Sequence, residues 1–110
     1  MAVVVNAYYG IQVAIADTNP HNLLALLQAV DSSLNGVLQG CQTLKIQASV
    51  LNGSNAVYIG DSHISTSRFG YELLTHDQVP YSLIAYNCPL SAIWVLASAA
   101  TVYLNVEITF

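Results

Sequence analysis

The sequence predicts a mainly β fold, a single antiparallel β-sandwich or jelly-roll-like domain over residues 1–110 with one short helix near residues 20–34. Three observations carry this. Residues 43–50 and 101–108 alternate polar and apolar side chains with the period of a half-buried strand. Short apolar runs follow at close spacing with Gly, Pro and Asn between them, the pattern of sandwiches and small barrels. Only one stretch has helical spacing. The length, 110 residues, is that of one domain, and with 55% hydrophobic residues it fills one core.

Taken in order, residues 2–5 and 11–16 are rich in Val, Ile and Ala and predict an opening strand pair turning at Tyr8-Tyr9-Gly10. In "DTNPHNLLALLQAVDSSLNG", Asn19 suits an N-cap and Pro20 the first helical position. Leu23, Leu27, Val30 and Leu34 then form one helical stripe, and Gly36 ends it. This helix should lie over one end or edge of a sheet. In "QTLKIQASVL", Leu44, Ile46, Ala48 and Val50 form the inward set. Asn52-Gly53 opens a turn, and "AVYIG" is a short strand after it. A polar loop precedes the brief strand "YELL"; "VPYSLIAYN" is another strand, with Pro80 kept to its start, and "CPLS" a break. "AIWVLAS" is apolar on both faces, as a central strand is, which places Trp94 in the core. "TVYLNVEITF" puts Val102, Leu104, Val106 and Ile108 inward and Thr101, Tyr103, Asn105 and Glu107 outward. The short connections imply antiparallel pairing.

Charge is the unusual quantity. Only 7% of residues are Asp, Glu, Lys or Arg, against roughly 25% in an ordinary soluble domain. Six carboxylates face two cations, Lys45 and Arg68, for a net charge of −4. So few cations neutralise few phosphates, which argues against nucleic acid and against anionic membranes as partners. The longest apolar runs are about ten residues, half of what a spanning helix needs. Residues 1–16 lack the basic start of a leader peptide and carry Asn6, Tyr8, Tyr9, Gly10 and Gln12 within their apolar run, so they are expected to be mature structure. Cys41 and Cys88 can pair only if the fold brings them together; with no CxxC or Cys/His cluster at ligand spacing they are expected to be two free, partly buried thiols. A surface poor in charge and rich in Tyr suits a component of a permanent assembly, because interfaces are depleted in Lys, Glu and Asp and enriched in Tyr.

Catalytic candidates are weak. Asp61, Ser62 and His63 hold triad chemistry, but adjacent residues point in different directions and no G-x-S-x-G elbow exists. His21, His63 and His76 have no ligand spacing, so no metal and no cofactor is expected. Glu72 and Glu107 are the carboxylates expected on strands, the others occupying turns and helix ends where they satisfy backbone donors. Gly53, Gly60 and Gly70 do not precede a helix and make no phosphate loop. The expectation is a non-enzyme. Tyr8, Tyr9 and Tyr103, outward by pattern, and Arg68 in the polar loop are the candidate protein-interface residues; the alternative use of such tyrosines is sugar binding.

Three segments carry a resemblance. They are the strand and turn "N-x-VYIGD" at Asn55–Asp61, the loop "SHISTSRFGYELL" after it, and the final strand pair "IWVLASAATVYLNVEI" at 93–108. In these the chain resembles small virion structural proteins of tailed bacteriophages, most of all capsid decoration (cement) proteins. The resemblance covers roughly the second half of the chain. It implies an oligomeric sandwich or jelly roll, a dimer or trimer. It also implies synthesis in the host cytoplasm and a place on the capsid surface against the major capsid protein and copies of itself. A carbohydrate- or receptor-binding module of a tail, neck or head accessory is the alternative. Two departures from the group stand out: "HDQVP" replaces the Pro-Gly turn of many relatives, and the helix matches no one subfamily.

Overall fold

The computed structural model describes residues 8–32, 34, 41–74, 81–88 and 90–109. Eight strands form two four-stranded sheets. They are β1 (Tyr8–Ile15), β2 (His21–Asn22), β3 (Cys41–Ala48), β4 (Val57–Gly60), β5 (Tyr71–Leu73), β6 (Tyr81–Cys88), β7 (Trp94–Ala97) and β8 (Val102–Thr109). Sheet one has the order β1-β8-β3-β6 and sheet two the order β2-β7-β4-β5. Every pair is antiparallel, and β1 meets β8, β2 meets β7, β3 meets β6 and β4 meets β5. The outgoing half of the chain thus pairs strand by strand with the returning half. This is one long hairpin rolled into two sheets, the jelly roll. Its tip is the polar loop between β4 and β5.

The core follows from alternation. Along β8 the four residues Val102, Leu104, Val106 and Ile108 are buried while those between are half-buried. Val13 and Ile15 of β1 and Leu44, Ile46 and Ala48 of β3 complete the inner face of sheet one. Val57, Ile59, Leu73, Val95 and Ala97 face them from sheet two. The helix, α1 (Leu23–Val30), closes one end against β1, β2 and the 3-10 turn Leu90–Ala92, with Leu23, Leu24 and Leu27 buried.

Four sequence expectations change. The helix begins at Leu23, not near residue 20, because His21 and Asn22 pair with Val95 and Trp94. Asn22 rather than Asn19 is the cap, its Oδ1 accepting the Ala25 N–H at 3.1 Å. The helix stops at Val30, where Asp31 turns extended and its N–H reaches the Leu27 carbonyl; Val30 itself is exposed. Gly36 lies outside the described residues. Tyr8-Tyr9-Gly10 is no turn but the start of a continuous strand along β8; residues 2–5 lie outside the described residues. β3 ends at Ala48, and Val50 is 80% exposed rather than inward. Ser49 is buried instead and caps the one-turn 3-10 helix Val50–Asn52 through its Oγ and the Leu51 N–H. Trp94 is half-buried, on a strand whose inner positions are Val95 and Ala97.

The 3-10 turn places Asn52, only 3% exposed, against the first residues of β8. Its Oδ1 accepts the Tyr103 N–H at 2.7 Å and its Nδ2 donates to the Tyr103 carbonyl at 2.9 Å. The side-chain amide stands in for a peptide unit and continues the β3–β8 ladder beyond its last residue. Gly53 follows with φ +61°, the left-handed region where a side chain is costly.

Candidate interaction faces

The residues with catalytic potential are committed locally. Asp61 Oδ1 accepts the backbone N–H of His63 at 2.9 Å, and Asp61 Oδ2 accepts from Arg68 Nη2 at 3.0 Å. The Arg68 guanidinium first, and then the His63 amide, hold the Asp61 carboxyl below the usual aspartate value. The His63 ring meets only the Ser62 hydroxyl among the recorded bonds, at 3.5 Å, so Asp61 does not orient it. Ser65 and Arg68 exchange both backbone bonds, and buried Ile64 pins the loop between them. The hairpin tip is a clasped turn. His21 Nε2 lies 2.7 Å from Asp17 Oδ1, which also accepts the Asn19 N–H; that amide, then His21, lowers the Asp17 pKa. His76 falls outside the described residues. Among those described, no three His, Cys, Asp or Glu side chains gather at one point. Glu72 and Glu107 lie on different sheets, Glu72 opposite Tyr58 and Glu107 opposite Lys45.

The four candidate interface residues do not form one patch. Tyr9 lies on the inner side of β1, packed against the core, and donates its hydroxyl to Asp31 Oδ2 at 2.9 Å. Burial first, then that bond and the Asp31 charge, push its phenol up to about 12. Tyr9 is therefore structural, because it shares the alternation of Ile11, Val13 and Ile15. Tyr8 is the register partner of Thr109 and is described by its backbone alone. Tyr103 is half-buried on the outer face of sheet one. Arg68 is exposed at the rim of sheet two, paired with Asp61.

The two outer faces differ in chemistry. On sheet one, register sets Gln12, Asn105 and Gln47 in one row and Gly10, Glu107 and Lys45 in the next. Gln12 Nε2 donates to Asn105 Oδ1 at 2.9 Å, and Lys45 Nζ lies 3.9 Å from Glu107 Oε1. These residues line an open trough of about 440 Å³. Over these two rows the face is polar and nearly neutral.

Sheet two presents aromatics. Register aligns Asn22, Trp94 and Gly60 in one row and Leu96, Tyr58 and Glu72 in the next. Tyr58 meets Phe69 edge to face with centroids 4.6 Å apart. Leu96 is only 5% exposed although it lies on the outer side of its strand, so its neighbours cover it. Phe69 is 38% exposed. Gly60 leaves room for the Ile64 side chain; an added Cβ would come within 3.3 Å of it. Sequence reasoning missed this patch because it took the strand of Trp94 as covered on both sides. The signal available was Tyr58, alternating against Val57 and Ile59.

No family model matches the chain, and no curated protein matches it. Among solved structures it is similar to the cryo-EM structure of the virus-like particle of extra small virus of the giant freshwater prawn Macrobrachium rosenbergii. That overlap has a TM-score of 0.40 and 11% identity, and covers 97% of this chain and 80% of the other. The function proposed below rests on strand order and surface chemistry, not on this overlap.

Proposed function

We propose that the chain is a structural subunit of a virus particle that works by contact and not by catalysis. The observation that carries this is the strand order, β1-β8-β3-β6 against β2-β7-β4-β5. Eight-stranded jelly rolls of this kind serve as virus shell domains and as sugar-binding domains. That is an analogy of fold, and the site chemistry has to choose between them. Here the residues with catalytic potential are tied into turns, and the surface offers an aromatic patch.

The finer reading is the one that the phage resemblance implies, a decoration protein on the outside of a capsid. Its support is electrostatic. Both cations of the chain are paired with carboxylates, Lys45 with Glu107 and Arg68 with Asp61, which leaves little positive charge to meet a packaged genome. The contact face is that of sheet two, because covering Phe69, Tyr58 and Trp94 removes apolar area from water. Partner contact at the sheet-one face would instead break amide and ion pairs already made.

The test is binding to isolated particles, with copy number by quantitative mass spectrometry. Hundreds of copies support decoration; a dozen or fewer place the protein at a tail or neck. Phe69→Lys should abolish binding while lowering the melting temperature by about 2–6 °C, the loss of the Tyr58–Phe69 ring contact, so that the protein stays folded at the binding temperature. Undiminished binding of that variant removes the sheet-two assignment. The amide-lined trough of sheet one supports a second reading, glycan binding. It requires retention on a glycan array that is lost in Gln12→Ala and Asn105→Ala.

A further inference from the structure

β6 is the edge strand of sheet one, and among the described residues its ladder partner is β3 alone. The two cysteines of the chain, Cys41 and Cys88, occupy facing positions where these strands meet. Directly opposed residues of an antiparallel pair have Cα atoms about 4.5 or 5.5 Å apart, according to whether they share hydrogen bonds. Both spacings fall within the roughly 4.4–6.8 Å that a disulfide spans. The register also shifts between Cys41 and Thr43, so the pair stands just beyond the regular part of the ladder. Sequence spacing gave no hint of this, because the residues are brought together only by the returning half of the roll.

We propose that Cys41 and Cys88 are a disulfide site, closed when the protein meets an oxidising small-molecule disulfide and open in a reducing cell. The step is thiol–disulfide exchange. One cysteine thiolate attacks a sulfur of oxidised glutathione and releases a glutathione thiolate. The second cysteine then displaces the other glutathione, so two protein thiols become one S–S bond and one glutathione disulfide becomes two thiols. The bond fastens edge strand β6 to β3 and encloses β4, β5 and the hairpin tip in the 41–88 loop. This goes beyond the virion reading and does not depend on it.

Purified full-length protein is incubated with oxidised glutathione or with dithiothreitol, denatured, treated with iodoacetamide and weighed intact. The oxidised chain should be lighter by two hydrogens and take no label; the reduced chain should take two. Its melting temperature should be higher when oxidised, by about 8–16 °C for a typical disulfide in a domain of this size. Cys88→Ser should melt at one temperature in both conditions. Two labels after oxidation, glutathione retained on both cysteines, a bond between two chains on a non-reducing gel, or no gain in melting temperature overturns the proposal.

Discussion

Asn52→Ala tests the contact that joins the end of β3 to the start of β8. In the native protein Asn52 is 3% exposed and makes two hydrogen bonds to one residue, accepting from the Tyr103 N–H and donating to its carbonyl. The carbonyl has a further donor, the Ser49 N–H at 3.1 Å, so it stays paired after the substitution. The Tyr103 N–H loses its acceptor, the Asn52 Oδ1 at 2.7 Å. Leaving a buried donor unpaired costs about 1–3 kcal/mol, and the other lost bond adds about 1 kcal/mol. The expected destabilisation is therefore about 2–4 kcal/mol, or a fall in melting temperature of about 8–16 °C in a domain of this size. Urea unfolding should show a lower midpoint with an unchanged slope, since the same surface is exposed on unfolding. Asn52→Asp separates the two bonds. It keeps the acceptor for the N–H but turns a second acceptor toward the Tyr103 carbonyl and buries a charge. It should be at least as damaging as Ala at neutral pH, and should recover partly in acid as the carboxyl regains a donor. A loss below about 0.5 kcal/mol for Ala, within the range of an ordinary surface change, would refute the role given to Asn52.

Other positions give independent checks. Thr101 adopts φ 49°, a left-handed conformation that costs a β-branched residue about 1–2 kcal/mol. Thr101→Gly should stabilise by about 1 kcal/mol in thermal unfolding, and a loss of stability would contradict the strain. Tyr9→Phe removes the bond to Asp31 and should cost about 1 kcal/mol at neutral pH. Because the folded phenol lies near 12 against an ordinary 10.0, the unfolded chain gives up that proton first. This contribution to stability is full below pH 10 and is lost as pH rises toward 12, so Tyr9→Phe should lack part of the wild-type alkaline fall. Equal alkaline slopes would count against the assignment. For Asp61 the sign is opposite: its folded pKa is lowered, so the clasp contributes above the ordinary aspartate value of 3.8 and is lost as pH falls below it. The protection factors of the His63 and Arg68 amides, corrected for the intrinsic pH dependence of exchange, should fall only in that acid range; a fall between pH 5 and 7 would show that Asp61 does not hold the tip.

How far the sequence could be read depended on whether a residue's neighbours were local. β8 was fully legible, since each of its eight positions alternates as its polarity does. β3 was legible as far as Ala48. It failed at Ser49, where a cap turns the chain, so Val50 and Leu51 become 80% and 68% exposed. The helix start was misplaced because Asn19-Pro20 and Asn22 both carry capping signals. What decides between them is the pairing of His21 and Asn22 with β7, some seventy residues away. Tyr9 was misread because Gly10 suggested a turn, although Ile11, Val13 and Ile15 already fixed the inward parity. Of the aromatic patch only Tyr58 was legible, alternating against Val57 and Ile59, since register alone brings Trp94 beside Gly60 and Leu96 beside Tyr58.

Those registers also account for the scarcity of charge. Asp17 with His21 fastens the connection from β1 to β2, Asp61 with Arg68 fastens the hairpin tip, and Asp31 with Tyr9 ties the end of α1 to β1. Only Lys45 with Glu107 lies across a sheet face, where the two ends of the pair offset each other. Among the described residues, three of these pairs thus hold corners of the roll, while Gln12, Gln47 and Asn105 line the outer side of sheet one and Tyr58 and Phe69 that of sheet two. A contact made through the ring-bearing face draws its free energy from buried apolar area, which salt does not screen. A contact steered by charge would weaken as ionic strength rises. In the proposed role, a contact that must persist through changing ionic surroundings is better served by the first kind of surface, on which the described strands place a single carboxylate, Glu72 opposite Tyr58.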